Sequence, residues 1–190
     1  TDRAAGTTAG AAGPGAVHHP GPDPVSGPEV FTAGRSGWPR LRDQLAGAIL
    51  DSATPGRADR LFPGDIHQFR TGGLNLAHGA AGVLYALHLT GAGRFPDHED
   101  WLVRRALSAP SGTSCGLYDG LHGVAFALER LGRRQDALDV LDLSLRQAWR
   151  SLGPDLVGGL SGIALNLADL AGRTGEPALR EAAWQAADLV

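Results

Sequence analysis

The sequence predicts an all-α protein built from repeated helical hairpins, and three observations carry that prediction. A small, apolar, glycine-paired segment occurs three times, at residues 77–87 (AHGAAGVLYAL), 118–128 (YDGLHGVAFAL) and 157–167 (VGGLSGIALNL). Its glycine pairs, 79/82, 120/123 and 159/162, recur at intervals of 41 and 39 residues, the range of helical repeat arrays. Between the copies lie two-faced stretches of helical period, whereas sustained period-two alternation is missing.

Composition narrows the functional classes. The 190 residues are 43% hydrophobic and 19% charged, enough apolar material for a buried core. Seventeen Lys and Arg against 20 Asp and Glu give a net charge of −3, which argues against a sequence-independent nucleic-acid binder. No apolar run approaches the roughly 20 residues that span a bilayer, and no signal-peptide pattern opens the chain. The one cysteine, Cys115, can form no internal disulfide and no thiolate-rich zinc site. The expectation is a cytoplasmic segment with no metal ligands of its own and with neither nucleic acid nor membrane as partner. The lack of Met and the end at Val190, inside an apolar periodic segment, point to an excerpt of a longer polypeptide.

Residues 1–37 contain little beyond Ala, Gly, Pro, Thr and Ser, so burial cannot offset the entropy of ordering them. They are expected to be a disordered Gly/Pro/Ala-rich linker, followed by a helical domain over residues 38–190. From Trp38, the positions Leu41, Leu45, Ala48 and Ile49 keep helical spacing, with Pro39 suited to a first turn. Each glycine-paired copy then runs apolar and meets another glycine, Gly91, Gly132 or Gly172, placed for a helix C-cap. The amphipathic partners are expected over residues 97–107, 133–152 and 177–190. Trp101 and Trp184 serve as anchors, and Leu138, Leu141, Leu145, Ala148 and Leu152 form the buried face of the middle one. Small, nearly all-apolar helices belong inside and two-faced helices outside. An open superhelix or a closed ring satisfies that demand, and the poverty of polar faces on the inner helices favours the ring.

A mid-helix glycine costs up to about 1 kcal/mol relative to Ala, so the paired glycines must answer a need. They permit close packing of crowded helix starts, or they open a cavity that a polypeptide enters. Repetition places Asn75, Gly116 and Asp155 four residues before the first glycine of their copies. His78, Asp119 and Gly158 come immediately before it, and Ala81, His122 and Ser161 two residues after. If the inner helices are parallel, these groups share one mouth at the positive ends of the helix dipoles, where acids and imidazoles could transfer protons. Each also has a structural alternative. Asp119 is placed for an N-cap, Asp155 for a cap or a turn, and His78 and His122 for bonds to loop carbonyls. Cys115 reads as a loop thiol.

The three motifs in order, with the flanks LFPGDIHQFRTGGLN, GLYDGLHG and PDLVGGLSG, resemble the LanC-like cyclase domain that ends the kinase–cyclase lanthipeptide synthetases of classes III and IV. The resemblance covers residues 38–190. It implies an α/α toroid, of which this chain would hold about three hairpins and the start of a fourth. It also implies an enzyme that adds Cys thiols of a ribosomal precursor peptide to dehydroalanine or dehydrobutyrine, forming lanthionine or labionin rings. The implied partners are the precursor peptide and the kinase and lyase domains of the same polypeptide, which would use ATP or GTP and magnesium. Zinc is implied only for a whole protein of the class IV kind, on ligands outside this segment.

Asp155, in the context Asp155-Leu156-Val157-Gly158-Gly159-Leu160-Ser161-Gly162, matches the family's acidic position proposed to assist proton transfer. It is therefore the expected catalytic residue. Asn75, His78, Asp119 and His122 are the expected substrate-contacting residues of the cavity. The alternative readings are a non-catalytic α/α scaffold that holds the precursor and a six-hairpin glycosidase-like toroid. The second is disfavoured by an aromatic content of only 6%.

Overall fold

The computed structural model describes residues 37–66 and 68–190, and every regular element among them is helical. The elements are α1 (Trp38–Asp51), α2 (Gln68–Thr71), α3 (Ala80–Leu89), α4 (Pro96–Leu107), α5 (Leu121–Arg130), α6 (Arg134–Leu145), a 3₁₀ turn (Trp149–Ser151), α7 (Leu160–Thr174) and α8 (Pro177–Asp188). The linker expected over residues 1–37 lies outside the described residues except for Gly37, as does His67.

The glycine-paired segments become α3, α5 and α7, and the two-faced stretches become α4, α6 and α8. Helix α5 touches α3 on one side and α7 on the other, while α5 pairs with α6 and α7 with α8. The core runs continuously through Leu84, Leu102, Leu121, Leu128, Leu141 and Ile163. The inner row is parallel. Tyr85 of α3 meets Phe126 of α5 edge to face with ring centroids 5.4 Å apart. Near the C-terminal ends, Arg130 of α5 binds Asp169 of α7 at 2.8 Å, and Arg173 of α7 binds Glu129 of α5 at 2.6 Å.

Three expectations are corrected. Gly172 does not end its helix. It is exposed within α7, which runs on to Thr174 and hands the left-handed position to Gly175 at φ 77°. Gly91 and Gly132 do follow their helices with positive φ, where a Cβ would strain the backbone. The stretch 133–152 is not one helix. It breaks after Leu145 into the 3₁₀ turn that carries the buried Trp149. Leu141 of the expected stripe is fully buried, Leu138, Leu145 and Leu152 pack partly buried against the core, and Ala137, Val140 and Ser144 widen the buried face because α6 meets both α4 and α5.

Trp101 is an anchor: it is buried, and its indole N–H donates to the Arg57 carbonyl at 3.2 Å. Trp184 is not, being 65% exposed on the wall of an open groove between α7 and α8. Helix α1 buries only Ala46. Leu45 and Ile49, which keep the expected helical spacing, rim an open apolar groove of ≈240 Å³ shared with Val83, Ala86 and Leu87 of α3.

Candidate functional site

The start of each inner helix is built in the same way. The first helical N–H reaches back seven residues to a loop carbonyl: Ala80 to Gly73 at 2.7 Å, Leu121 to Ser114 at 2.9 Å and Leu160 to Gly153 at 2.8 Å. A backbone carbonyl therefore does what a side-chain cap does elsewhere, and Gly79, Gly120 and Gly159 occupy the N-cap positions. The loop that supplies the carbonyl folds tightly beneath the helix. A Cβ on Gly82, Gly123 or Gly162 would strike the carbonyl oxygen of Leu76, Leu117 or Leu156, respectively. Of the two reasons offered for the paired glycines, the close approach of backbone accounts for their positions.

The three loops are also tied side by side. The Ala77 N–H donates to the Tyr118 carbonyl, and the Tyr118 N–H donates to the Val157 carbonyl, both at 2.9 Å. One edge of the inner row thus presents three loops in sequence, each bearing a candidate group.

In the first loop, Asn75 is buried and its Oδ1 accepts the His78 N–H at 3.1 Å. Its Nδ2 lies 3.1 Å from His78 Nε2. Asn75 therefore shapes the turn that presents the half-buried His78. In the second loop, Asp119 is not the N-cap that its position suggests, because the Ser114 carbonyl already takes the Leu121 N–H. Its Oδ1 instead accepts from the Ser114 hydroxyl at 2.8 Å, and Ser114 Oγ in turn accepts the Gly116 N–H at 3.3 Å. The other oxygen lies against Gly158 of the third loop, 2.9 Å from where a Cβ would stand.

In the third loop, Asp155 closes a turn. Its Oδ1 accepts the N–H groups of Val157 at 2.9 Å and Gly158 at 2.8 Å. The side chain is exposed, and Oδ2 takes no hydrogen bond among the described residues. Gly158 thus receives both carboxylates, Asp155 through its N–H and Asp119 across its Cα.

His122 stands apart from this edge. It is fully buried at the α5–α7 contact, with Nδ1 3.1 Å from Asn166 Nδ2, which also donates to the His122 carbonyl at 3.0 Å. Burial pushes its pKa down to about 3, so the ring is neutral at ordinary pH. The structure corrects the expectation that His122 opens into the mouth: it lies in the first turn of α5 on the face packed against Asn166 of α7. Cys115 is buried too, its thiol against the Ser144 carbonyl at 3.8 Å, and burial pushes that thiol up.

Sequence reasoning missed Ser114, which carries no motif, and Asn166. The signal for Asn166 was a lone amide in the middle of an apolar inner helix. Among the described residues no cluster of three or more His, Cys, Asp or Glu could hold a metal. No described helix is long and apolar enough to cross a membrane.

Beneath the loops, Leu76, Tyr85, Leu117, Phe126 and Leu165 line a groove of ≈590 Å³ along the inner row, closed at its far end by the Arg130–Asp169 pair. Arg130 also lies over the Phe126 ring, 4.9 Å from its centroid.

Fold and site together define a class: an all-helical repeat protein whose parallel inner helices begin in hydrogen-bonded loops that gather acidic and imidazole groups on one edge. No family model matches the chain. A Streptomyces coelicolor A3(2) protein described as a probable SapB synthase is 58% identical to it over 144 residues, covering 75% of the chain and 16% of that relative. The chain thus spans about a sixth of the relative's length.

Proposed function

We propose that this chain is the opening part of a lanthipeptide synthetase cyclase domain, in which further hairpins complete an α/α ring. The observation that carries the reading is the series of linked loops, which sets His78, Asp119 and Asp155 along one edge above an apolar groove. The 58% identity to a probable SapB synthase supports a peptide-modifying role, as does the triplicated motif itself.

In the proposed reaction a precursor Cys loses its thiol proton, and the thiolate sulfur adds to the β-carbon of a dehydroalanine or dehydrobutyrine. The C–S bond forms as the alkene electrons move to the α-carbon, which is then protonated. Asp155 is the proposed proton carrier: its Oδ1 is fixed by two backbone N–H groups while Oδ2 stays free to hold or release a proton. His78, oriented by Asn75, is the second group on the edge able to exchange protons, and Asp119 holds the loops together. The described residues do not fit a zinc site: they offer no metal-binding cluster and their one thiol is buried. No step here is therefore routed through zinc.

Kinase and lyase domains elsewhere in the polypeptide would prepare the dehydro residues in the cytoplasm, using ATP or GTP and magnesium. The test is Asp155→Asn in the full-length protein. The precursor should still be dehydrated, and mass spectrometry after thiol alkylation should reveal free cysteines. Undiminished ring formation would remove Asp155 from the catalytic role.

A further inference from the structure

A second pocket, of ≈490 Å³, lies away from the inner groove, between the 58–74 segment and the α4–α5 loop. Arg105 lines it directly. Phe69, another wall, carries the Arg60 guanidinium over its ring at 5.5 Å. The Nε atoms of both arginines are buried without a hydrogen-bond partner, and neither guanidinium joins an ion pair among the described residues.

Arg130 also has a buried, unpaired Nε, but its guanidinium holds Asp169, and Arg57, Arg94, Arg133, Arg146 and Arg173 likewise hold carboxylates. The acidic residue in the pocket lining, Asp59, is hydrogen-bonded by Arg57 through contacts of 2.8 and 2.6 Å and reaches Arg60 only through its charge, so neither Arg60 nor Arg105 has a carboxylate bonded to it among the described residues. On the rim, Ser111 is exposed and its hydroxyl makes no hydrogen bond among the described residues. A buried N–H left unpaired is costly, and a desolvated guanidinium fork is the group best suited to repay that cost with an oxyanion.

We propose that this pocket binds a phosphate-class dianion, presented on a peptide as phosphoserine or phosphothreonine, with Arg60 and Arg105 as the forks and Ser111 as a further donor. Two cations and a hydroxyl supply more donors than one carboxylate uses, which favours phosphate over an acidic side chain. The loop that forms one wall, residues 109–113, leads directly into Ser114 and Asp119, so an anchored phosphate would hold a peptide beside the edge described above. The inference does not depend on the thioether chemistry, since binding is read without any ring being formed.

Isothermal titration of the full chain tests it, with a short phosphoserine peptide, its unphosphorylated and glutamate counterparts, and inorganic phosphate as probes. The phosphopeptide should bind, more weakly as salt is raised, while the unphosphorylated peptide should not. Arg105→Gln should weaken binding by about ten- to a hundredfold. Arg105→Lys and Arg60→Lys, which keep the charge and stem but lose the fork, should each cost a large part of that and guard against a folding defect. Inorganic phosphate binding as tightly as the phosphopeptide would retain the site and assign it to the free anion. No phosphate or phosphopeptide binding at millimolar concentration would overturn the proposal. So would a glutamate peptide that binds equally well, or folded arginine variants that bind like the wild type.

Discussion

The Cβ of Leu76 lies 2.8 Å from where a Cβ on Gly123 would stand, so the first repeat's loop fills the space that the second repeat's helix leaves empty. Leu117 stands in the same relation to Gly162, at 2.9 Å, one repeat further on. The absence of a side chain on one inner helix is what lets the previous loop dock, and the register of the whole row follows from it.

Gly123→Ala should therefore be costly, because its methyl meets both the Leu117 carbonyl oxygen and Leu76. The expected loss is about 3 kcal/mol or more in denaturant unfolding, at the upper end of overpacking effects. Gly172→Ala is the control. Nothing lies within 4 Å of that position and it sits inside α7, so the substitution should stabilise by about 0.5–1 kcal/mol. Equal effects would undo the docking account.

Stability should fall with acid because of His122. Its folded-state pKa of about 3 lies below the ordinary value of 6.5, so the unfolded chain binds more protons between those values. The contribution is fully present above about pH 6.5 and is lost as pH drops toward 3, with a slope of up to about 1.4 kcal/mol per unit. Melting curves at pH 7.5 and 4.5 should show a larger gap for the wild type than for His122→Gln. An unchanged gap would mean that another group governs the acid limb.

The two tryptophans should part company. Trp101→Ala removes a buried ring and the bond to the Arg57 carbonyl, for an expected cost of about 3–5 kcal/mol. Trp184→Ser should stay within about 0.5 kcal/mol in the same chain. A large loss at Trp184 would show that α8 is covered by something beyond the described contacts.

Asp119→Asn keeps the shape that accepts the Ser114 hydroxyl but removes a charge from beside Gly158. In the full-length protein it is expected to lower ring formation less than Asp155→Asn does. Asp119→Ala, which frees the Ser114 hydroxyl and leaves Gly158 unsupported, should cost about 1 kcal/mol of stability as well. Comparing product ratios with melting temperatures separates the two roles.

Glu99 is a structural carboxylate. Burial opposes its charge, but the paired bonds from Arg94 at 2.6 and 2.5 Å, with the Phe95 N–H, outweigh that and hold it below the usual range. Glu99→Gln should cost about 1–3 kcal/mol at neutral pH and less in acid, where the carboxylate is protonated in any case.

The helical class, the three hairpins and the order of inner and outer helices were legible in the chain, because glycine spacing and a 3.6-residue period are local properties of sequence. The turn role of Asp155, one of two offered, was equally local, since an aspartate reaches the N–H groups two and three residues on without help from elsewhere. What tertiary contact alone decided is which polar groups stay at the edge. Asp119 gives up the cap because a backbone carbonyl arrives first, and His122 is drawn into the core by an amide 44 residues away. The buried face of α6 is broader than the expected stripe, adding Ala137, Val140 and Ser144, because two neighbouring helices claim it. Trp184 stays exposed on the rim of the α7–α8 groove because α8 buries Leu179, Ala183 and Ala186 instead. Periodicity specifies that a face exists, whereas its exact angle and the company of its polar atoms depend on neighbours that the period does not encode.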